Sequence, residues 1–266
     1  MRNLLLPRRF STGNLTVGLL LTMLIVNTAI AHHVPLPETM SKAQAAWLWG
    51  FYTVPASITK DSSPYWYSYE HTDVNKINSP AWIAVAQKHI KKNAKVPAAL
   101  VMHGCSGLIR SPTAYRVLLM QNGYAVFEPD SFARPGHTCN FETLYRRTED
   151  LAYAYEQISK LPWVDSDRIV LLGISQGGRA VAKWNQPGFA AHIILDNNCS
   201  RGIPKAPTNT PVLSIVGSKD ERLQGSSCDV SQHAEGSKSI VIEGAPHGIS
   251  DYEETEQAIV HLLNRL

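Results

Sequence analysis

The chain has 266 residues, 44% of them hydrophobic and 18% charged. That composition suits one large globular domain with a buried core and excludes a disordered or coiled-coil chain. With 25 basic and 22 acidic residues and no Lys/Arg run longer than Lys91-Lys92 or Arg146-Arg147, it offers no basic field for nucleic acid or an anionic membrane.

Residues 1–31 read as a signal peptide. Arg2, Arg8 and Arg9 precede an apolar stretch from Leu15 to Ile30, and Ala29-Ile30-Ala31 closes it with the small-x-small pattern of a cleavage site. The apolar run of about 16 residues is interrupted by Gly18, Thr22, Asn27 and Thr28, which is short of the roughly 20 residues that span a bilayer. Cleavage is therefore expected over retention as an anchor, with no stable membrane insertion afterwards. Arg8-Arg9 is followed by "FSTGN", a poor match to twin-arginine export, so general secretion to the periplasm or beyond is the expectation. The mature chain, residues 32–266, would carry 22 basic against 22 acidic residues.

The stretch before Pro97 is rich in aromatics: Trp47, Trp49, Phe51, Tyr52, Tyr65, Trp66, Tyr67 and Tyr69. Such a cluster packs a core or a sheet edge more often than it forms a substrate platform. Beyond it, six apolar runs read as buried strands: Ala98–Gly104, Tyr124–Asp130, Arg168–Ile174, His192–Asn197, Pro211–Gly217 and Ser239–Gly244. Leu144, Leu151, Tyr155 and Ile158 repeat at helical spacing before the third run, and Ala258, Ile259, Leu262 and Leu263 do so at the C-terminus. Nearly all-apolar strands alternating with helices predict an α/β fold, a mostly parallel central sheet covered by helices on both faces. No repeat or linker divides residues 32–266, which are read as a single domain.

Ligands of such sheets bind where strands end and helices begin, and four strand ends carry polar or Gly-rich turns: "HGCSG", "GISQGG", "GSKDE" and "GAPHG". In the second, Ser175 is either a nucleophile or the cap of the helix that follows, since serine is a favoured N-cap. A cap needs no glycines, whereas a nucleophile on a sharp strand-to-helix turn needs small neighbours, and Gly173, Gly177 and Gly178 supply them. A serine nucleophile requires a base and a buried acid. His247, after the last strand, is the best-placed base in the chain order Ser, acid, His. Asp220 is the first choice of acid, with Glu221 and then Asp196 behind it, and Asp251 is read as a helix cap or solvated charge. The N–H of Gln176 and that of Cys105, with Ser106 as runner-up, would receive the oxyanion. His103 is read as a buried ring that shapes the Cys105 loop without proton transfer. Arg134 and His137, in a loop after the Tyr124 strand, would be substrate contacts or solvated loop residues. No cofactor or metal is implied, and the cysteines show no CxxC spacing.

From Pro97 onward the chain resembles an α/β-hydrolase. "HGCSG", "RIVLLGISQGG", "PVLSIVGSKD" and "APHG" make it most similar to the dienelactone hydrolase family, whose founding members carry Cys where this chain has Ser175. The resemblance thus implies ester hydrolysis rather than opening of a dienelactone. It also sets the Ala98 and Tyr124 strands side by side, and likewise the His192 and Pro211 strands, which implies disulfides Cys105–Cys139 and Cys199–Cys228 where sequence alone allows three pairings. The expected function is that of an exported serine hydrolase acting on a small-molecule ester or related acyl bond through Ser175, His247 and Asp220. The alternative from another class is a catalytically silent binding protein of the same fold. Oligomeric state is not legible in the sequence.

Overall fold

The computed structural model describes residues 40–67, 86–108, 111–133, 138–200 and 202–266. The expected signal peptide, Tyr69, Arg134 and His137 lie outside the described residues.

In chain order the elements are α1 (Lys42–Leu48), β1 (Phe51–Val54), β2 (Tyr65–Tyr67), β3 (Val96–Met102), α2 (Ser111–Gln121), β4 (Ala125–Glu128), α3 (Phe141–Ser159), β5 (Val164–Ile174), α4 (Gln176–Lys183), β6 (Ala191–Leu195), β7 (Val212–Gly217), β8 (Lys238–Ile242) and α5 (Glu253–Leu263). The strands form one sheet in the order β2-β1-β4-β3-β5-β6-β7-β8. All pairs from β4 to β8 are parallel, and β1 alone runs opposite to both of its neighbours. This is an eight-stranded, mostly parallel sheet.

Its inner strands are apolar on both faces because both faces are covered. Along β3, Ala98, Leu100 and Met102 join one core with Leu151, Ala154 and Ile158 of α3 and Val181 of α4. Ala99 and Val101 point the other way, into a second core with Tyr115 and Leu119 of α2 and Ile259 and Leu262 of α5. The strand period of two thus sorts neighbouring residues into separate cores. β8 closes the sheet at an edge, and its residues are mostly exposed.

The six expected strands are present, each shifted at its ends by a few residues. The aromatic segment supplies two more. Tyr52 and Tyr67 face each other across β1 and β2 and stack with centroids 6.3 Å apart. Trp47, Trp49 and Tyr52 are buried, and only Trp66 is well exposed among the described aromatics of this segment. The cluster therefore builds the sheet edge and its core.

α3 departs from the expected pattern in one respect. The stripe Leu144, Leu151 and Ile158 is buried as expected, but Arg147 is fully buried within it. Its neighbour Arg146 instead pairs with Glu149 at the surface. Asp251 does not cap α5: Tyr252 occupies that position, and Asp251 is an exposed charge.

Candidate active site

Ser175 stands between β5 and α4 with φ 53° and ψ −112°. A non-glycine residue is strained in that region, and strain of this kind persists only when the surroundings over-determine it. Here they do. The Ser175 N–H donates to the Leu195 carbonyl at 2.8 Å, while its own carbonyl accepts from Arg179 N at 3.1 Å and from Asn197 Nδ2 at 3.1 Å. A Cβ on Gly177 would lie 2.0 Å from the Met102 carbonyl oxygen, and one on Gly173 would lie 2.5 Å from the Gly177 oxygen. The glycines let α4 begin hard against β3 and β5. Although Ser175 occupies the N-cap position, its side chain makes no capping bond. Its Oγ lies 3.0 Å from His247 Nε2 instead.

His247 sits in the turn after β8, and its Nδ1 lies 2.6 Å from Asp220 Oδ2. Asp220 follows β7 and is buried, with its other oxygen accepting from the N–H groups of Arg222 at 3.0 Å and Leu223 at 3.3 Å. Those amides fix the carboxylate, leaving Oδ2 to accept from Nδ1–H. The remaining ring nitrogen, Nε2, then presents its lone pair to the serine hydroxyl. A chain of two hydrogen bonds therefore runs carboxylate–imidazole–hydroxyl, an arrangement that can draw a proton from Oγ as it attacks a carbonyl carbon.

The other acids fall elsewhere. Glu221 is exposed. Asp196 is buried beside the site, and its Oδ1 accepts from Gly248 N at 3.2 Å, so it holds the backbone of the histidine turn rather than the ring. Burial pushes the Asp196 carboxyl pKa up, with the Asp220 charge acting in the same direction. Asp196, Asp220 and His247 each place one polar atom within 4.8 Å of the others. That separation suits a cation, but the direct 2.6 Å bond between His247 and Asp220 spends the best nitrogen and oxygen on each other.

Gln176 opens α4 and Cys105 follows β3, so both expected oxyanion donors lie at the same end of the sheet as Ser175. Among the described residues neither N–H is donated to a backbone or side-chain acceptor. Cys105 is bonded to Cys139, and Cys199 to Cys228. Both pairings are those implied by the resemblance. The first bridge ties the Cys105 loop to the residue before Asn140, the N-cap of α3.

His103 is fully buried, with Nδ1 2.8 Å from the Gly104 carbonyl and Nε2 accepting from Ser131 N at 3.0 Å. Those partners assign the proton to Nδ1. Burial, assisted by the Arg147 charge, holds its pKa down, so the ring is neutral and shapes the loop.

Sequence reasoning missed Arg147, Ser131 and Asn197. Arg147 had a signal: it lies three residues after Leu144 and four before Leu151, on the apolar face of α3. Asn197 and Ser131 had none, because their roles depend on which loops meet.

The strand order, the parallel sheet with helices on both faces and the strained serine turn after β5 define the α/β-hydrolase fold. No family model matches the chain, and no curated protein does. Structural neighbours are α/β-hydrolase esterases. They include Est1E from Butyrivibrio proteoclasticus, at 17% identity and a TM-score of 0.46, covering 65% of this chain and 88% of that one. A phospholipase/carboxylesterase from Dyadobacter fermentans is 17% identical with a TM-score of 0.49 over 65% and 91% of the two chains. A candidate dienelactone hydrolase from Klebsiella pneumoniae is 15% identical with a TM-score of 0.48 over 66% and 90%.

Proposed function

We propose that the protein is an exported serine hydrolase that cleaves a carboxylic ester or related acyl bond. The carrying observation is the hydrogen-bonded chain Asp220–His247–Ser175, with the serine held at positive φ between a strand and a helix. Ser175 Oγ attacks the substrate carbonyl carbon as His247 Nε2 takes its proton, and the carbonyl π electrons move onto oxygen. The N–H groups of Gln176 and Cys105 receive that oxyanion. Collapse expels the alcohol, which leaves with the proton from Nε2, and an acyl-enzyme remains. Water, deprotonated by the same nitrogen, then attacks the acyl carbon, and collapse releases the acid as Nε2 returns that proton to Ser175 Oγ. Asp220 keeps its charge throughout and stabilises the imidazolium.

Export belongs to this proposal, with residues 1–31 as the cleaved signal and residues 32–266 as the working domain. The two disulfides support it, because such bonds persist in oxidising compartments. Among the described residues no helix is long and apolar enough to cross a membrane.

The test is labelling of the folded protein with a fluorophosphonate, followed by mass spectrometry of the labelled peptide. Covalent modification of Ser175 that disappears in Ser175→Ala, together with turnover of p-nitrophenyl esters, is the expected result. A folded protein that is not labelled would instead be a silent binding protein of the same fold.

A further inference from the structure

The N–H groups that would hold the oxyanion belong to two separate loops, and a single buried side chain reaches both. The Arg147 guanidinium, fully buried in α3, donates from Nε to Gln176 Oε1 at 3.0 Å and from one terminal nitrogen to the Gly104 carbonyl at 3.4 Å. Its other terminal nitrogen donates to Ser131 Oγ at 3.2 Å. The planar fork thus fixes three groups at once, which a lysine ammonium on a flexible stem cannot reproduce.

Gly104 O is significant because it belongs to the peptide group whose N–H is that of Cys105. Among the described residues no peptide bond is cis, so within this group the carbonyl and the N–H point in opposite directions. Donors that grip the oxygen from the protein interior therefore aim the Cys105 N–H outward. His103 Nδ1 grips the same oxygen at 2.8 Å and the Gly107 N–H reaches it at 3.3 Å, and the three donors also polarise the peptide toward stronger donation. On the other side, Gln176 is clamped through its side chain: Oε1 takes the Arg147 bond and Nε2 donates to the Asn140 carbonyl at 2.9 Å. That clamp sets the first residue of α4, and with it the second N–H.

We infer that Arg147 is the positioning residue of the oxyanion hole, holding the Cys105 and Gln176 N–H groups in register with each other from beneath. It touches no reacting atom. The inference rests on the serine-hydrolase reading, and it predicts a defect confined to the step in which negative charge develops on oxygen.

The experiment compares the mature protein with Arg147→Met, Arg147→Lys and Gln176→Met, the last removing, at a partly exposed position, the carboxamide whose oxygen meets Arg147 and whose nitrogen meets the Asn140 carbonyl. Four quantities are read: kcat and KM for a p-nitrophenyl ester, the inhibition constant of a trifluoromethyl ketone, and fluorophosphonate labelling of Ser175. The ketone accepts Oγ at its carbonyl carbon and places an oxyanion in the same hole, so its affinity reports the hole without turnover. Loss of one oxyanion donor costs about 100- to 1,000-fold in kcat, so misalignment of two is expected to lower kcat by roughly 10- to 100-fold in Arg147→Met. KM should stay within about threefold, and the ketone should weaken in parallel with kcat. Arg147→Lys should fall between, and Gln176→Met should lose kcat and ketone affinity together to a smaller extent. Unchanged kcat and ketone affinity in a folded Arg147 variant, or a rise in KM with kcat held, overturns the inference. If Arg147→Met does not fold, Arg147→Lys and Gln176→Met decide by the same criteria. Labelling of Ser175 in the unaltered protein separates the two ideas: without it the hydrolase reading itself fails, and with it only the role of Arg147 is at stake.

Discussion

At the scale of single residues, two buried aspartates lie beside one histidine, and their partners tell them apart. Asp220 faces the ring and Asp196 faces the backbone of the turn that carries it. Replacing the ring-facing carboxylate removes the acceptor that fixes the tautomer, an effect of about 10,000-fold in kcat in serine proteases. Asp220→Asn is accordingly expected to lower kcat by roughly 1,000- to 10,000-fold with little change in KM. Asp196→Asn keeps an oxygen for the Gly248 N–H and should cost less than about tenfold. Steady-state kinetics on the two variants checks this, and equal losses would mean that the acid function is shared. Sequence order ranked these acids by their place after strands, because strand ends are legible from apolar runs. It could not tell what each carboxylate touches, since Gly248 lies 52 residues from Asp196.

At the scale of elements, β6 carries an anomaly. His192 lies in the middle of the sheet, fully buried, and among the described residues neither ring nitrogen has a hydrogen-bond partner. Phe189 packs against it edge-on at 5.7 Å. Burial pushes its pKa down to about 3, with His233 adding to the effect. In the unfolded chain a histidine takes up a proton near pH 6.5, while in the fold it refuses one until about pH 3. The unfolded state therefore binds more protons between those values, and stability falls as pH drops below about 6.5. The slope from this residue approaches about 1.4 kcal/mol per pH unit. Urea unfolding of the parent and of His192→Leu at pH 7, 6 and 5 should show the variant gaining on the parent as acid is added. A difference that stays constant with pH would contradict it. The sequence marked His192 as the start of a buried strand, one residue inside the observed β6, but was silent on the ring's lack of a partner. Likewise β1 and β2 are short, and their aromatic residues gave a packing signal without a period long enough to delimit strands.

At the scale of the whole molecule, the core of the sheet was legible because strands buried on both faces must be apolar throughout, and helices between them must be amphipathic. The candidate site was legible in Ser175, Asp220 and His247, which sit directly after strands and are hydrogen-bonded in the structure. The supporting layer was not, because Arg147, Ser131 and Asn197 meet their partners only through tertiary packing. The disulfides connect that layer to the surface. Cys105–Cys139 closes a loop with a sequence separation of 34, for which chain entropy gives roughly 3–4 kcal/mol of stabilisation. Replacing both cysteines by serine should lower the melting temperature and reduce kcat, since the freed strand-to-helix loop carries one of the N–H donors. Thermal unfolding and ester turnover in the double variant measure both effects. A lower melting temperature with full activity would assign the bridge to stability alone.

On the proposed reading, the order in which Ser175, Asp220 and His247 leave the ribosome has a consequence for the cell. Ser175 is followed by Asp220 and then by His247, which lies beyond β8, the last strand in chain order and the partner of β7. A chain still being made, or, if exported as proposed, still threaded unfolded through a translocon, holds a serine with no base. The proposed hydrolytic apparatus would then be held inert in the cytosol by assembly order.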